Sequence, residues 1–133
     1  MLRTRLLLLI LAASLVAPAQ AQVSVSLLGD DAQLSRHVLE LSMPDVNRGL
    51  RKAWRVVTFK KRNELLASSN RIYQEFDCAK GTVKDLIRVH FYGPQATGSI
   101  LSIQDIKNDP PRPADDLDKK AIGLVCGDLS SFQ

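Results

Sequence analysis

Two cysteines, Cys78 and Cys126, are the only ones in the sequence, and they restrict how the chain can fold. They allow one intramolecular disulfide, which would close a loop of roughly 50 residues and stabilise the fold by on the order of 4 kcal/mol in the chain-entropy model. A redox pair would usually lie in a Cys-x-x-Cys motif, and a zinc site would need further ligands nearby. We therefore predict one structural disulfide between Cys78 and Cys126.

The N-terminal residues have the three parts of an export signal. Arg3 and Arg5 precede an apolar run over residues 6–16, and Ala19-Gln20-Ala21 is an Ala-x-Ala cleavage site. The run is about 11 residues long, whereas spanning a bilayer needs roughly 20. We expect a signal peptide over residues 1–21, cleaved near Ala21, with no cysteine after it to carry a lipid. The exported protein is expected to be soluble and periplasmic or secreted, without a stable membrane anchor, in a compartment that favours the disulfide.

The length and charge of the remaining chain indicate one small domain. We expect a lead-in over residues 22–35 that is either flexible or a short edge strand, a domain over residues 36–127 and a C-terminal tail over residues 128–133. Cleavage removes two arginines and so lowers the formal net charge of +4 by two. That charge is too small, and the compartment is wrong, for a protein that binds nucleic acid.

Alternating apolar and polar residues predict five β-strands, and the end of the chain predicts a helix. The alternation occurs at about residues 36–42, 51–59, 69–76, 83–92 and 99–106. Between Asp115 and Val125 the apolar spacing becomes helical, with aspartates that can cap the start and Gly127 after the end. These patterns predict an α+β domain in which a small antiparallel sheet of about five strands is packed by a C-terminal α-helix.

The longest strand candidate, residues 83–92, is amphipathic. Its alternation predicts that Val83, Ile87, Val89 and Phe91 share one face, with charged and polar residues on the other.

No combination of residues indicates catalysis, a cofactor or a metal. His37 and His90 are the only histidines, they are far apart in sequence, and each lies in a strand pattern. Asp30-Asp31 and Asp115-Asp116 lack the spacing of a calcium loop and fit solvation or helix capping instead. The sequence contains no phosphate-binding glycine-rich loop and no Gly-x-Ser-x-Gly motif. We expect a protein that is not an enzyme and needs no cofactor.

One segment, residues 48–62, is strongly basic and contains no acidic residue. Its cations are candidate partner-binding residues: Arg48, Arg51, Lys52, Arg55, Lys60, Lys61 and Arg62. One interpretation is a basic patch that binds an acidic partner, such as a sulfated polysaccharide or an acidic protein surface. The other is a solvated edge or loop whose lysines discourage pairing between molecules. Both interpretations remain open at the level of sequence.

The order of several motifs resembles the surface-adhesin protein E-like family of exported bacterial proteins. The similarity covers residues 36–127, with its most specific parts in Asp77-Cys78-Ala79 and Leu124-Val125-Cys126-Gly127. The resemblance implies a small antiparallel sheet, a C-terminal helix and a disulfide. It also implies a relationship to a namesake that binds host matrix proteins and can pair with itself.

The sequence therefore leads to two expectations about function. The first is an exported, non-enzymatic binding module that binds host matrix proteins or an acidic polysaccharide through a basic sheet or loop surface, and that can form a homodimer. The second is a periplasmic accessory or structural protein with no adhesive role. A shared fold does not decide between them.

Overall fold

A meander of six antiparallel strands forms the body of the fold in a computed structural model, which describes residues 24–41 and 49–127. The strands are β1 (Ser24–Asp30), β2 (Arg36–Leu41), β3 (Leu50–Thr58), β4 (Ser69–Asp77), β5 (Thr82–Phe91) and β6 (Ile100–Asp105). A short strand, β7 (Arg112–Pro113), pairs with β5, and the helix α1 (Asp116–Cys126) follows. Each strand from β2 to β6 pairs with the strand before it in sequence.

The sheet with a C-terminal helix is confirmed, but the sheet has more strands than the five predicted. The two additional strands are β1 and β7. Of the two interpretations of residues 22–35, the structure shows the edge strand, since β1 pairs with β2. Its serines and Gly29 have low strand propensity, and β7 makes only two pairings, so neither gives a strong alternating pattern. The predicted signal peptide and the tail over residues 128–133 lie outside the described residues.

One face of the sheet packs against α1 and contains the apolar core. The fully buried cluster consists of Leu28, Leu39, Ala53, Phe76, Val83 and Ala121. The helix contributes Leu117, Ile122 and Val125 to the same core. Each large apolar side chain buried in this way stabilises the fold by roughly 1.5–3 kcal/mol. The core therefore fixes the helix to one side of the sheet.

The helix has the start and stop signals that the sequence predicts. Asp115 and Asp118 form a capping box, in which each side chain accepts a hydrogen bond from the other residue's backbone amide. Burial alone would raise the pKa of Asp115, but hydrogen bonds from Asp118 and the charges of Arg55 and Arg112 hold that pKa below its ordinary value. Gly127 follows the last turn with a positive φ of 57°.

The predicted disulfide is confirmed. Cys78 lies in the turn between β4 and β5, and Cys126 is the last residue of α1. Their sulfur atoms are 2.10 Å apart and their Cα atoms 5.8 Å apart, a separation that suits a disulfide. The bridge fastens the end of the helix to one end of the sheet.

The faces of β5 differ from the prediction, because the strand contains a β-bulge. The register shifts between the pairs Gln74–Asp85 and Tyr73–Ile87, which makes Leu86 an additional residue in β5. Val83 therefore lies on the face that packs against the helix, whereas Ile87, Val89 and Phe91 lie on the opposite face of the sheet. Strict alternation in a sequence cannot show an inserted residue, and the prediction that these residues share a face was wrong for that reason.

Candidate partner-binding surface

No described helix or strand covers the face of the sheet opposite α1, which we call the open face; only the loop between β5 and β6 reaches it, at Gln95 and Ala96. Antiparallel partners lie on the same face, so the strand register defines its rows. One row crosses all six strands and contains Leu27, Val38, Val56, Arg71, Val89 and Ile103. The neighbouring row contains Val25, Glu40, Trp54, Tyr73, Ile87 and Asp105. These two rows are mainly apolar and run from one edge of the sheet to the other, whereas the row beside Trp54 is charged and contains Lys52, Glu75 and Lys84.

The most exposed apolar residues of the open face lie on its two edge strands. Val25 is 66% exposed and Leu27 is 64% exposed on β1, and Ile103 is 66% exposed on β6. The central Val56 is only 6% exposed, because its neighbours surround it. Contiguous apolar surface of this kind typically marks a place where a soluble protein binds something else.

An aromatic and cationic cluster occupies the centre of the open face. The rings of Trp54 and Tyr73 are 4.8 Å apart, and the guanidinium of Arg71 lies 4.3 Å above the Trp54 ring. Arg71 Nη2 also donates a hydrogen bond of 2.7 Å to Glu40 Oε2. Trp, Tyr and Arg are the residues most enriched at the energetic centres of protein interfaces. The pairing with Glu40 leaves this cluster with little net charge, which suits a protein surface better than a polyanion.

Comparison with known proteins identifies the family. A family model described as Surface-adhesin protein E matches residues 26–127, from β1 through the end of α1. The chain belongs to the surface-adhesin protein E family. No curated protein and no solved structure matched it. Membership of the surface-adhesin protein E family supports an adhesin-like surface protein without an enzymatic role.

The basic segment of this surface-adhesin protein E family member does not form one surface. Arg48 lies outside the described residues, and Arg51 and Arg55 are buried on the helix side of β3. Alternate residues of a strand face opposite sides, so Lys52 lies on the open face, half-buried. Lys60, Lys61 and Arg62 belong to the loop between β3 and β4. The predicted partner-binding set is therefore divided among three environments, and Arg55 is not accessible to a partner.

Arg55 belongs instead to a polar network buried beneath α1. Its Nη1 atom donates to Asp118 Oδ1 at 2.6 Å and its Nε atom donates to His37 Nδ1 at 2.9 Å. Arg112 Nη1 donates to Asp118 Oδ2 at 2.7 Å, so both oxygens of this fully buried carboxylate are satisfied. Sequence reasoning missed the network because Arg55 and Asp118 are 63 positions apart. The only available signal was helical spacing, because Asp118 lies three and seven positions before the apolar Ala121 and Val125.

The hydrogen bonds of His37 define its protonation. Because Arg55 Nε donates to Nδ1, that nitrogen is unprotonated, and His37 Nε2 donates to Asp31 Oδ2 at 2.8 Å. Burial lowers the pKa of His37, and the charge of Arg55 lowers it further against the opposing hydrogen bond to Asp31. Burial would raise the pKa of Asp31, but hydrogen bonds from His37 and from two backbone amides lower it overall. The pair is thus a neutral imidazole and a carboxylate.

We expect the fold to lose stability as the pH falls below about 6.5, the ordinary pKa of histidine. The unfolded chain binds a proton at His37 in that range, whereas the folded chain resists protonation until a lower pH, so the free energy of unfolding falls on acidification. Urea denaturation at pH 7.5, 6 and 5 measures the effect. His37→Gln removes the titrating group and should flatten the dependence over this range. A dependence of equal steepness in that variant would contradict the assignment.

The other histidine, His90, has neutral polar partners. His90 is buried between Asn63, at 3.3 Å, and Gln104, at 3.1 Å. Among residues 24–41 and 49–127, no group of three or more His, Cys, Asp or Glu side chains is placed to hold a metal ion. In the same ranges, no helix is long and apolar enough to cross a membrane.

Proposed function

We propose that this protein is an exported, non-enzymatic adhesin-like module that binds a protein partner across the open face. The observation that carries the proposal is the uncovered apolar face with Trp54, Tyr73 and Arg71 at its centre. Burial of apolar surface against a partner lowers the free energy of the system, and the two aromatic rings supply a large contact area at the centre of the interface. The partners that fit are host matrix proteins and a second copy of the chain.

The chemistry of the open face favours a protein over an acidic polysaccharide. Its central cation, Arg71, is already paired with Glu40, and its edges carry valine, leucine and isoleucine. Its two lysines, Lys52 and Lys84, lie on either side of Glu75, which offsets part of their charge. A sulfated polysaccharide is bound mainly by unpaired cations and has little apolar surface to bury. Heparin therefore serves as a competitor that separates the two classes of partner.

The test uses charge introduced at exposed positions of the open face. In the double variant Leu27→Glu/Ile103→Glu, we expect binding to immobilised basement-membrane proteins, and any self-association in sedimentation equilibrium, to weaken at least tenfold. The reason is that an interface would bury two unpaired carboxylates, which costs several kcal/mol. Both residues are about two-thirds exposed in the free protein, so the fold should tolerate the change.

The matched control is Leu124→Glu, because Leu124 is exposed on α1, on the other side of the sheet. Binding that survives Leu27→Glu/Ile103→Glu but is abolished by heparin would contradict the proposal and support a polysaccharide partner. Confinement of the native protein to the periplasm in cell fractionation would support the accessory role instead of adhesion.

A further inference from the structure

Three loops lie together at one end of the sheet, opposite the end that carries the disulfide. They connect β1 to β2, β3 to β4 and β5 to β6, which all lie at the same end of a meander. Two hydrogen bonds hold the third loop against the strand ends that flank the second loop. Gln95 N donates to Thr58 Oγ1 at 3.2 Å, and Ala96 N donates to Ser69 Oγ at 2.9 Å. We call these three loops the loop end.

Two of the loops, residues 31–35 and 63–67, have the same hydrogen-bonding pattern. In each, the first side chain, an aspartate or an asparagine, accepts hydrogen bonds from the backbone amides of the third and fifth residues. The first amide donates to the fifth carbonyl, and the fourth amide donates to the first carbonyl. The fourth residue is Leu34 in one loop and Leu66 in the other, and each has a φ of +62°.

Leucine is an unexpected residue at that position. A φ near +60° favours glycine or asparagine, and a leucine there is strained. Leu34 is 56% exposed and Leu66 is 63% exposed, so neither side chain is needed to fill the core. The fold therefore exposes an apolar side chain to solvent at the same position of each loop, although both the backbone conformation and the contact with water are unfavourable for leucine. Residues kept in a disfavoured conformation at the surface are often functional.

Cations accompany the two leucines. Lys60 and Lys61 line the cavity between the first two loops together with Leu34, and neither makes an ion pair within the part of the chain that the structure describes. Arg62 donates to the carbonyl oxygens of Leu66, at 2.9 Å, and Tyr92, at 2.7 Å, and its guanidinium lies 3.9 Å above the Tyr92 ring. Arg62 thereby fixes the second loop against the third.

Most of the acidic side chains near the two lysines form ion pairs or hydrogen bonds with other groups. Asp30 lies 3.6 Å from Arg36, and Asp31 accepts hydrogen bonds from His37 and from its own loop. Glu64 is the remaining acid of these loops. The unpaired lysines therefore give the cavity side of the loop end a positive character beside exposed apolar side chains.

We propose that the loop end binds the surface of a bilayer that contains anionic phospholipids. Leu34 and Leu66 enter the headgroup region, and Lys60 and Lys61 contact lipid phosphates. Transfer of an apolar side chain from water to the boundary between headgroups and acyl chains is favourable in free energy, and anionic headgroups attract lysines near the membrane surface. An acidic polysaccharide would use the lysines but leave the leucines without a role. The leucines and lysines named here lie outside the two apolar rows of the open face, so the proposal does not depend on the function proposed above.

The experiment is co-sedimentation of the full exported domain with vesicles of phosphatidylcholine containing 30% phosphatidylglycerol, in comparison with pure phosphatidylcholine. We expect binding to the anionic vesicles only. In Leu34→Asn/Leu66→Asn, the partition coefficient should fall at least tenfold, whereas the fold should be equally or more stable, because asparagine tolerates this backbone conformation. In Lys60→Ala/Lys61→Ala, we expect a loss of about fivefold for each lysine.

Matched controls lie at the opposite end of the sheet. Lys80→Ala removes an exposed lysine from the turn between β4 and β5, and Leu124→Asn removes an exposed leucine from α1, and neither should change vesicle binding. Failure of the unaltered protein to sediment with anionic vesicles would overturn the proposal. So would binding that is lost in Lys60→Ala/Lys61→Ala but unchanged in Leu34→Asn/Leu66→Asn, since that result indicates an acidic polymer in place of a bilayer. Abolition of binding by millimolar free glycerol phosphate would indicate a soluble phosphate ligand and would equally overturn it.

Discussion

Asp118→Ala is expected to lower the free energy of unfolding by about 3–5 kcal/mol. The side chains of Arg55 and Asp118 are 3% and 1% exposed, so removal of the carboxylate leaves a guanidinium buried without its counter-charge. The variant also removes one half of the capping box and the 2.7 Å contact with Arg112. Urea denaturation at neutral pH, monitored by the fluorescence of Trp54, measures the loss.

Two further variants separate the buried charge from helix propensity and from capping. Asp116→Ala removes an exposed carboxylate from the same helical turn and should cost no more than about 1 kcal/mol. Arg55→Met/Asp118→Ala removes both buried charges and should be more stable than Asp118→Ala alone, because no fully buried charge is left without a partner. A double variant less stable than the single variant would show that the ion pair is not the source of the effect.

The second large effect is expected from the disulfide. Cys78→Ser/Cys126→Ser should lower the free energy of unfolding by about 4 kcal/mol, because the unfolded chain regains the freedom of a loop that the bridge closes. The two cysteines are 48 positions apart, which makes this constraint large relative to a small domain's total stability. Reduction of the unaltered protein should reproduce the stability of the serine variant, which itself should not respond to reductant. Equal stability of the oxidised and reduced protein would contradict the prediction.

The parts of the fold that the sequence predicts are those with local signals. The helix is one example, because Asp115 and Gly127 specify its ends within the chain itself. Five strands follow from alternation, and the disulfide follows from there being only two cysteines in an exported chain. The bulge at Leu86, by contrast, depends on which residues of β4 are opposite it, and no pattern within β5 records that.

The candidate site was less predictable, because charge in a sequence does not show the direction of a side chain. Arg55 lies in the basic segment, yet the register of β3 turns it toward Asp118. The open face depends on which side of the sheet the helix covers, which alternation leaves undecided. The loop end does have a sequence signal: residues 31–35 and 63–67 both consist of Asp or Asn, two variable residues, leucine and a small residue.

The meander also has a consequence for how the chain acquires its structure. A polypeptide that emerges N-terminus first can pair each strand of the meander with the strand that emerged just before it. The Arg55–Asp118 pair and the Cys78–Cys126 bridge are different, because both need the last residues of the domain. We therefore expect the sheet to be able to form strand by strand, and the helix to attach to it only after the last residues of the domain are present.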